Sequence, residues 1–246
     1  MSRNLTISAG MPRAGSGWYY NLVHDLIVAS GGQNAREIRK KYYLQRLLTE
    51  VNCNISTLKI LRLSPVLIPA LIGNKYAVKT HAGPTRFSDW LNQNGRIGTV
   101  YIYRDPRAAM LSAYEYGQKA IKQNRKNAFF QIKTLDDAAE FMKFYVKVWA
   151  AWSQAEETML VRYEDLLADY NVEFDRLIGH LELQLDKNES KKICEQYKPE
   201  KGDPGRKGTH FSKGEADRFR GVFSQTQLNQ FTAMFEPELS VMGYQP

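Results

Sequence analysis

Cysteine is scarce, since the 246 residues contain only two, Cys53 and Cys194. Two cysteines are too few for a disulfide framework, and the pair lacks the Cys-x-x-Cys spacing of a structural zinc site. Both are interpreted as core or surface thiols in a reducing compartment.

Long apolar runs are also absent. No stretch approaches the ~20 residues that cross a bilayer. The first seven residues, MSRNLTI, lead into a strand-like pattern without the apolar core of a signal peptide. We therefore expect a cytoplasmic protein that is not inserted into a membrane.

Positive charge is in excess. Lys and Arg number 34 against 26 Asp and Glu, a formal net charge of +8. This balance predicts an anionic partner without separating a nucleotide from nucleic acid or an acidic lipid surface. The basic residues are spread over short runs typical of solvated helix faces or loops. The length fits one α/β domain, expected over residues 1–246.

The stretch TISAGMPRAGSGW, residues 6–18, nearly matches a phosphate-binding P-loop. Gly10 and Gly15 have the required spacing, but Ser16 and Gly17 stand where Lys and Ser/Thr should follow. The residues before the loop predict a strand and those after it a helix, which is the context that a P-loop requires.

This loop predicts an anion site that differs from a standard P-loop. Its backbone N–H groups and the positive end of the following helix favour a phosphate, and its only cation is Arg13. Without the lysine and the metal-binding hydroxyl, the loop suits a 5′-phosphate whose reaction needs no magnesium held in that way. A glycine-rich turn without a ligand is the alternative.

The rest of the chain alternates between strand and helix patterns. Further strands are predicted at 76–80, 97–103 and 158–163, and helices at 106–125, 135–155, 164–182, 187–197 and 224–236. This order predicts an α/β fold in three layers, with a central parallel sheet flanked by helices. The glycine-rich stretch 202–221 is predicted to be a long loop.

Two other strand ends carry candidate ligands for an anion. After the strand at 97–103, Arg104 is followed by Asp105 as a helix N-cap and by Pro106 at the first helical position. Ser112 lies two turns into that helix, so Arg104 and Ser112 together suit a second phosphate. The alternative is that Arg104 pairs with a carboxylate and that Ser112 is simply buried.

The strand at 76–80 ends in a cation and an imidazole, because Lys79 is its next-to-last residue and His81 directly follows it. The carboxyl ends of parallel strands face the ligand crevice of such sheets. A histidine has an intrinsic pKa near ~6.5 and can take a proton from a hydroxyl or amine near neutral pH. His24 and His180 lie inside helical patterns and are interpreted as bystanders.

The motifs PRAGSGW, KTH, RDPRAAMLS, RYEDL and GRKG occur in this order from residue 12 to residue 208. Together they resemble the sulfotransferases that use 3′-phosphoadenosine 5′-phosphosulfate (PAPS) and leave 3′,5′-bisphosphoadenosine (PAP). The resemblance extends from residue 5 to about residue 225. It implies the P-loop-like sulfotransferase fold, PAPS as co-substrate and no metal.

The resemblance also implies roles for individual residues. Arg13, Gly15, Ser16 and Gly17 would bind the 5′-phosphosulfate, although Gly17 lacks the hydroxyl that relatives often place there. The 3′-phosphate and adenine would be bound by Trp18, Arg104, Ser112, Tyr163, Arg206, Lys207 and Gly208.

By the same resemblance, His81 would be the general base, and Lys79 and Arg13 would stabilise charge at the transferred group. Some branches of the family use glutamate as the base, which makes Glu115 the alternative. The tryptophan that relatives carry downstream of GRKG is absent here.

The acceptor is the least defined part. The implied acceptor is a small molecule with a hydroxyl or amine, such as a natural product, and neither nucleic acid nor a membrane. Segments at roughly 33–75 and 113–134 would frame it. The candidate aromatic walls are Tyr42, Tyr43, Tyr114, Tyr116, Phe129 and Phe130, together with Phe87, which lies between the two segments. A P-loop kinase of nucleosides or small molecules and a non-catalytic RNA-binding protein remain alternatives.

Overall fold

The computed structural model describes residues 3–125, 127–199 and 216–245. Within these ranges five strands form one parallel sheet with the order β2-β3-β1-β4-β5. The strands are β1 (Leu5–Gly10), β2 (Asn54–Ile55), β3 (Tyr76–Thr80), β4 (Ile97–Tyr103) and β5 (Thr158–Arg162).

Helices flank this sheet, which confirms the predicted α/β class. They are α1 (Ser16–Ala29), α2 (Ala35–Lys41), α3 (Ile60–Leu71), α4 (Arg86–Gln93), α5 (Pro106–Lys122), α6 (Leu135–Ser153), α7 (Tyr163–Ala168), α8 (Tyr170–His180), α9 (Lys187–Tyr197), α10 (Phe219–Val222) and α11 (Gln225–Val241). A short 3-10 helix, Leu44–Arg46, follows α2. Every residue of β1 and β3 is buried, because both faces of a parallel sheet are covered.

The order of the strands indicates where a ligand crevice lies. From β1 the chain crosses to β2 and β3 on one side and then returns past β1 to β4 and β5 on the other. In open parallel sheets a ligand binds beyond the carboxyl ends of the strands at such a switch point. The loop after β1 and the ends of β3, β4 and β5 therefore meet at one edge.

Some helix predictions were wrong. The single helix predicted at 164–182 is divided into α7 and α8 by Asp169, whose extended backbone (φ −140°) breaks the first and whose carboxylate caps the second at Val172. Helix α3 was not predicted, because it contains Pro65 and Pro69 and each removes a backbone donor. The Asp105 cap is confirmed: its carboxylate accepts a hydrogen bond from the Arg107 N–H, and Pro106 begins α5.

No helix in the described part of the chain is long and apolar enough to cross a membrane. Both cysteines are free: Cys53 is buried and Cys194 is half-buried.

Candidate active site

The loop that joins β1 to α1 turns through two residues in the left-handed region, Arg13 (φ 67°) and Gly15 (φ 75°). A side chain on Gly15 would also collide with a neighbour, because a Cβ there would lie 3.0 Å from the ring of Tyr163. For arginine the left-handed conformation costs about 1 kcal/mol. Helix α1 begins at Ser16. The first N–H groups of a helix point out of its N-terminus, because no preceding turn supplies carbonyl acceptors for them.

The Arg13 side chain is held from two directions. Its Nε donates a hydrogen bond to the Ser112 hydroxyl at 3.1 Å. Its guanidinium lies over the Tyr116 ring, 4.5 Å from the centroid, and 5.8 Å from that of Phe129. A planar guanidinium can stack on an aromatic face while it donates hydrogen bonds in its own plane, which an ammonium cannot do in the same way. The arginine in place of the usual lysine is therefore matched by its surroundings.

Lys79 and His81 are in direct contact at the end of β3. Lys79 Nζ lies 2.6 Å from His81 Nε2, and His81 Nδ1 lies 2.6 Å from the carbonyl oxygen of Gly10. A carbonyl only accepts, so Nδ1 carries the proton and donates it to Gly10. The lone pair of the neutral ring is then on Nε2, where Lys79 donates to it.

Burial changes the protonation of both groups. Lys79 is 5% exposed, and burial lowers its pKa to about 7. The pKa of His81 lies well below its usual value because the ring is buried and, second, because Lys79 is cationic, while the bond to Gly10 opposes this decrease. His81 is therefore neutral at physiological pH. An anion placed beside the pair would raise both pKa values.

Arg104 and Tyr163 come from the ends of β4 and β5. The guanidinium of Arg104 lies 4.6 Å from the centroid of the Tyr163 ring. Arg104 and Ser112 line the same cavity. The Ser112 hydroxyl accepts its hydrogen bond from Arg13, so a joint role with Arg104 stays a prediction.

These side chains line one cavity at the carboxyl edge of the sheet. Its lining residues are Pro12, Arg13, Gly15, Ser16, Gly17, Trp18, Asn52, Lys79, His81, Arg104, Ser112, Phe129 and Tyr163. Among these described residues there are three cationic side chains and no carboxylate. Such a lining favours an anionic ligand.

Trp18 lines the cavity but is almost completely buried. It is 1% exposed and packs against Tyr170 and Tyr197, with ring centroids 6.1 and 6.3 Å away. Little of the Trp18 side chain is therefore accessible for stacking with a base.

The sequence did not indicate Asn52 as a site residue. Asn52 lines the cavity and precedes Cys53, whose backbone is in the left-handed region (φ 44°). Its side-chain oxygen is buried and has no hydrogen-bond partner among the described residues. A buried acceptor of this kind is usually satisfied by a donor, here one supplied by a ligand. No local pattern in the sequence marks it.

A row of aromatic rings connects Arg13 with His81. Tyr116 meets Phe129 at 5.4 Å between centroids, Phe129 meets Phe141 at 5.5 Å, and Phe141 meets Tyr145 at 5.0 Å. Tyr145 then presents an edge to the His81 ring at 6.4 Å. Phe141 and Tyr145 lie four residues apart on α6, a spacing that places them on one helix face, and they were not predicted.

Other predicted residues lie elsewhere. Glu115 forms an ion pair with Arg218 on the surface and does not line the cavity. Tyr43 is 87% exposed. The Tyr42 hydroxyl accepts a hydrogen bond from Asn74. Arg206, Lys207 and Gly208 lie outside the described residues.

Within the described ranges there is no group of three His, Cys, Asp or Glu residues placed to hold a metal ion. The expectation that no metal takes part stays a prediction.

A family model described as "Sulfotransferase domain" matches residues 5–243. Retinol dehydratase, solved with retinol and PAP, is 18% identical, with 97% of this chain and 82% of that chain covered and a TM-score of 0.60. Mouse sulfotransferase SULT7A1, solved with PAP, is 14% identical, with 98% and 86% covered and a TM-score of 0.60. The sulfotransferase domain of the curacin biosynthetic pathway is 14% identical, with 100% and 99% covered and a TM-score of 0.51. No curated protein matches the chain.

Proposed function

The chain belongs to the sulfotransferase domain family, and we propose that it transfers the sulfuryl group of PAPS to a hydroxyl or amine of a small molecule. The observation that carries this proposal is the bonded series Lys79–His81–Gly10 beside a cavity whose described lining holds three cationic side chains and no carboxylate. Two of the structures similar to this chain, retinol dehydratase and the mouse sulfotransferase, were solved with PAP.

The residues present fit the nucleotide. Gly15 lets the loop backbone lie close to the Tyr163 ring, Arg13 and Arg104 supply guanidinium groups, and Asn52 offers a buried oxygen without a partner among the described residues. We assign the N–H groups from Gly15 to Trp18 and the Arg13 side chain to the 5′-phosphosulfate. Arg104 and Ser112 are assigned to the 3′-phosphate, and Tyr163 and Trp18 to the nucleoside.

Bound PAPS would supply an activated sulfuryl group on a phosphate leaving group. His81 would receive the acceptor's proton at Nε2, because Nδ1 is committed to the Gly10 carbonyl. That bond also orients the ring and stabilises the imidazolium that results. Lys79 occupies Nε2 in the structure. An anion in the cavity offers Lys79 a stronger partner, which would free the lone pair of His81 for the acceptor.

His81 is a better candidate for the base than Glu115. The Glu115 carboxylate is 44% exposed and already paired with Arg218, outside the lining of the cavity. Arg13 and Lys79 are placed to balance charge that develops on oxygens during transfer.

The aromatic row from Tyr116 to Tyr145 is assigned to the acceptor. It ends at the His81 ring, and its member Phe129 lines the cavity, so an acceptor bound along the row would have its hydroxyl or amine close to the base. Aromatic and apolar walls with few polar groups are typical of sites for small organic molecules.

The rival functions explain fewer of these contacts. A kinase would need a lysine and a Ser or Thr hydroxyl at the positions that Ser16 and Gly17 occupy in this chain. An RNA-binding protein would not need the hydrogen-bonded pair of Lys79 and His81.

Ligand-induced stabilisation separates the sulfotransferase from the kinase. We expect PAP without metal to raise the melting temperature, and ATP with magnesium to have a smaller effect at equal concentration. Arg104→Ala should reduce the PAP effect, whereas Arg96→Ala, on the loop before β4, should leave it unchanged. The reverse ranking of the two nucleotides would contradict the proposal.

A further inference from the structure

We propose that Tyr244 is a positioning residue for the nucleotide side of the cavity, acting through Glu164 on Arg104 and Tyr163. This inference rests on the proposed function. Tyr244 lies 80 or more residues from the residues that it would position and does not line the cavity.

Glu164 connects residues 243–245, here called the tail, with the proposed nucleotide site. Its Oε2 accepts a hydrogen bond from the Tyr244 hydroxyl at 2.7 Å. Its Oε1 accepts from the backbone N–H of Asp105 at 3.3 Å. One largely buried carboxylate therefore connects the segment after β4, the segment after β5 and the segment 243–245.

The residues that precede Asp105 and Glu164 in the sequence line the cavity. Arg104 directly precedes Asp105, and Tyr163 directly precedes Glu164. The pairing of β4 with β5 ends at Tyr103 and Arg162. The Asp105–Glu164 bond lies just beyond this last strand pair, so it restrains the two segments on which Arg104 stacks on Tyr163 at 4.6 Å. The Tyr163 ring in turn packs against Gly15, where a Cβ would lie 3.0 Å away.

Two further contacts hold Tyr244 in place. Arg162 donates to the Gly243 carbonyl at 3.0 Å, and its guanidinium lies 4.9 Å from the centroid of the Tyr244 ring. The residue after Tyr244 is held by Arg107, which is 1% exposed and donates to the Gln245 carbonyl at 2.7 Å.

Arg107 also ties the tail to the Arg104 segment. Its Nη2 lies 2.9 Å from Asp105 Oδ2, so the same guanidinium binds the tail carbonyl and the residue that follows Arg104. The tail thus contacts both segments, and the Tyr244 hydroxyl is the contact that reaches the carboxylate between them.

The effect of Tyr244 should depend on the 3′-phosphate, because that group is assigned to Arg104. Hydrogen bonds to charged groups are strong enough that loss of one, if fully transmitted, changes affinity roughly 10-fold. In Tyr244→Phe we expect the preference for PAP over AMP, which lacks the 3′-phosphate, to fall roughly 3- to 10-fold. The phenylalanine ring retains the stacking on Arg162.

The test is calorimetric titration of the purified full chain with PAP and with AMP. The matched control is Tyr76→Phe, which also removes a buried tyrosine hydroxyl, there bonded to the Val66 carbonyl, at the far end of β3. We expect Tyr76→Phe to keep the PAP preference of the wild type. Glu164→Gln, which retains an acceptor for one of the two bonds, should lie between the wild type and Tyr244→Phe.

The outcomes separate this inference from the proposed function. A wild-type protein that binds AMP as well as PAP would contradict the proposed function. A wild-type preference for PAP that persists in Tyr244→Phe would overturn the positioning role alone. An equal fall in Tyr76→Phe would also overturn it, since general destabilisation would then be the cause. In an Arg104→Ala background, Tyr244→Phe should cause no further fall, and an additive fall would contradict the coupling.

Discussion

Replacing Lys79 with methionine is expected to stabilise the folded protein at neutral pH while it removes activity. Burial lowers the pKa of Lys79 from 10.5 to about 7. At about 1.4 kcal/mol per pKa unit, the lowered pKa of Lys79 decreases the free energy of unfolding near neutral pH by at most about 4 kcal/mol. The lost hydrogen bond to His81 offsets about 1–2 kcal/mol of the gain. We therefore expect a net increase of about 2 kcal/mol in the free energy of unfolding.

The gain in stability from Lys79→Met should decrease as the pH rises from about 7 to 10.5. The folded-state pKa is depressed, so between about pH 7 and pH 10.5 the unfolded chain binds more protons than the folded one at this lysine. Stability of the wild type therefore rises with pH across this window, and the methionine variant lacks that rise. The difference between the two proteins should be largest at pH 7 and should shrink as the pH approaches 10.5.

Urea unfolding of both proteins at several pH values between 7 and 10 measures this difference. Lys40→Met is the control, because Lys40 is 68% exposed and its pair with Glu37 is on the surface. Its effect should stay within about 0.5 kcal/mol at each pH. A Lys79→Met protein no more stable than the wild type at pH 7, with the same dependence on pH, would refute the reasoning.

Three other substitutions test particular contacts. Gly15→Ala should lower stability by about 1–3 kcal/mol and weaken PAP binding, because it forces alanine into a left-handed backbone against the Tyr163 ring; thermal unfolding with titration checks both. Arg107→Met should lower the free energy of unfolding by about 3–5 kcal/mol, since it leaves the Asp105 carboxylate buried without its cation; a change below about 1 kcal/mol in urea unfolding would contradict this. Arg13→Lys keeps the charge but loses the stacked, planar group, so steady-state kinetics should show a several-fold higher KM for PAPS, and an unchanged KM would count against the role of the aromatic rings.

The sequence predicted those parts of the site that depend on local structure. A strand, a glycine loop and a helix in succession indicated the anion loop, and Asp105 with Pro106 marked the start of α5. Lys79 lies near the carboxyl end of β3 and His81 directly follows that strand. Their place at the crevice could therefore be expected from the parallel sheet alone.

Contacts between distant segments could not be predicted in this way. The distance of Tyr145 from His81 depends on how α6 packs against the sheet, and the bond from Tyr244 to Glu164 joins residues 80 positions apart. Helix α3 forms despite two prolines, because tertiary packing overrides local propensity. The division between α7 and α8 depends on the backbone of Asp169, which the helical periodicity of 164–182 concealed.

Single-turnover transfer of labelled sulfur from PAPS to a panel of phenols, alcohols and amines tests the central claim most directly. The wild type should label at least one acceptor without added metal. His81→Gln should bind PAP within about twofold of the wild type and transfer the label roughly 10²- to 10⁴-fold more slowly, the range expected for loss of a general base. A His81→Gln protein that transfers sulfur at the wild-type rate would contradict the account.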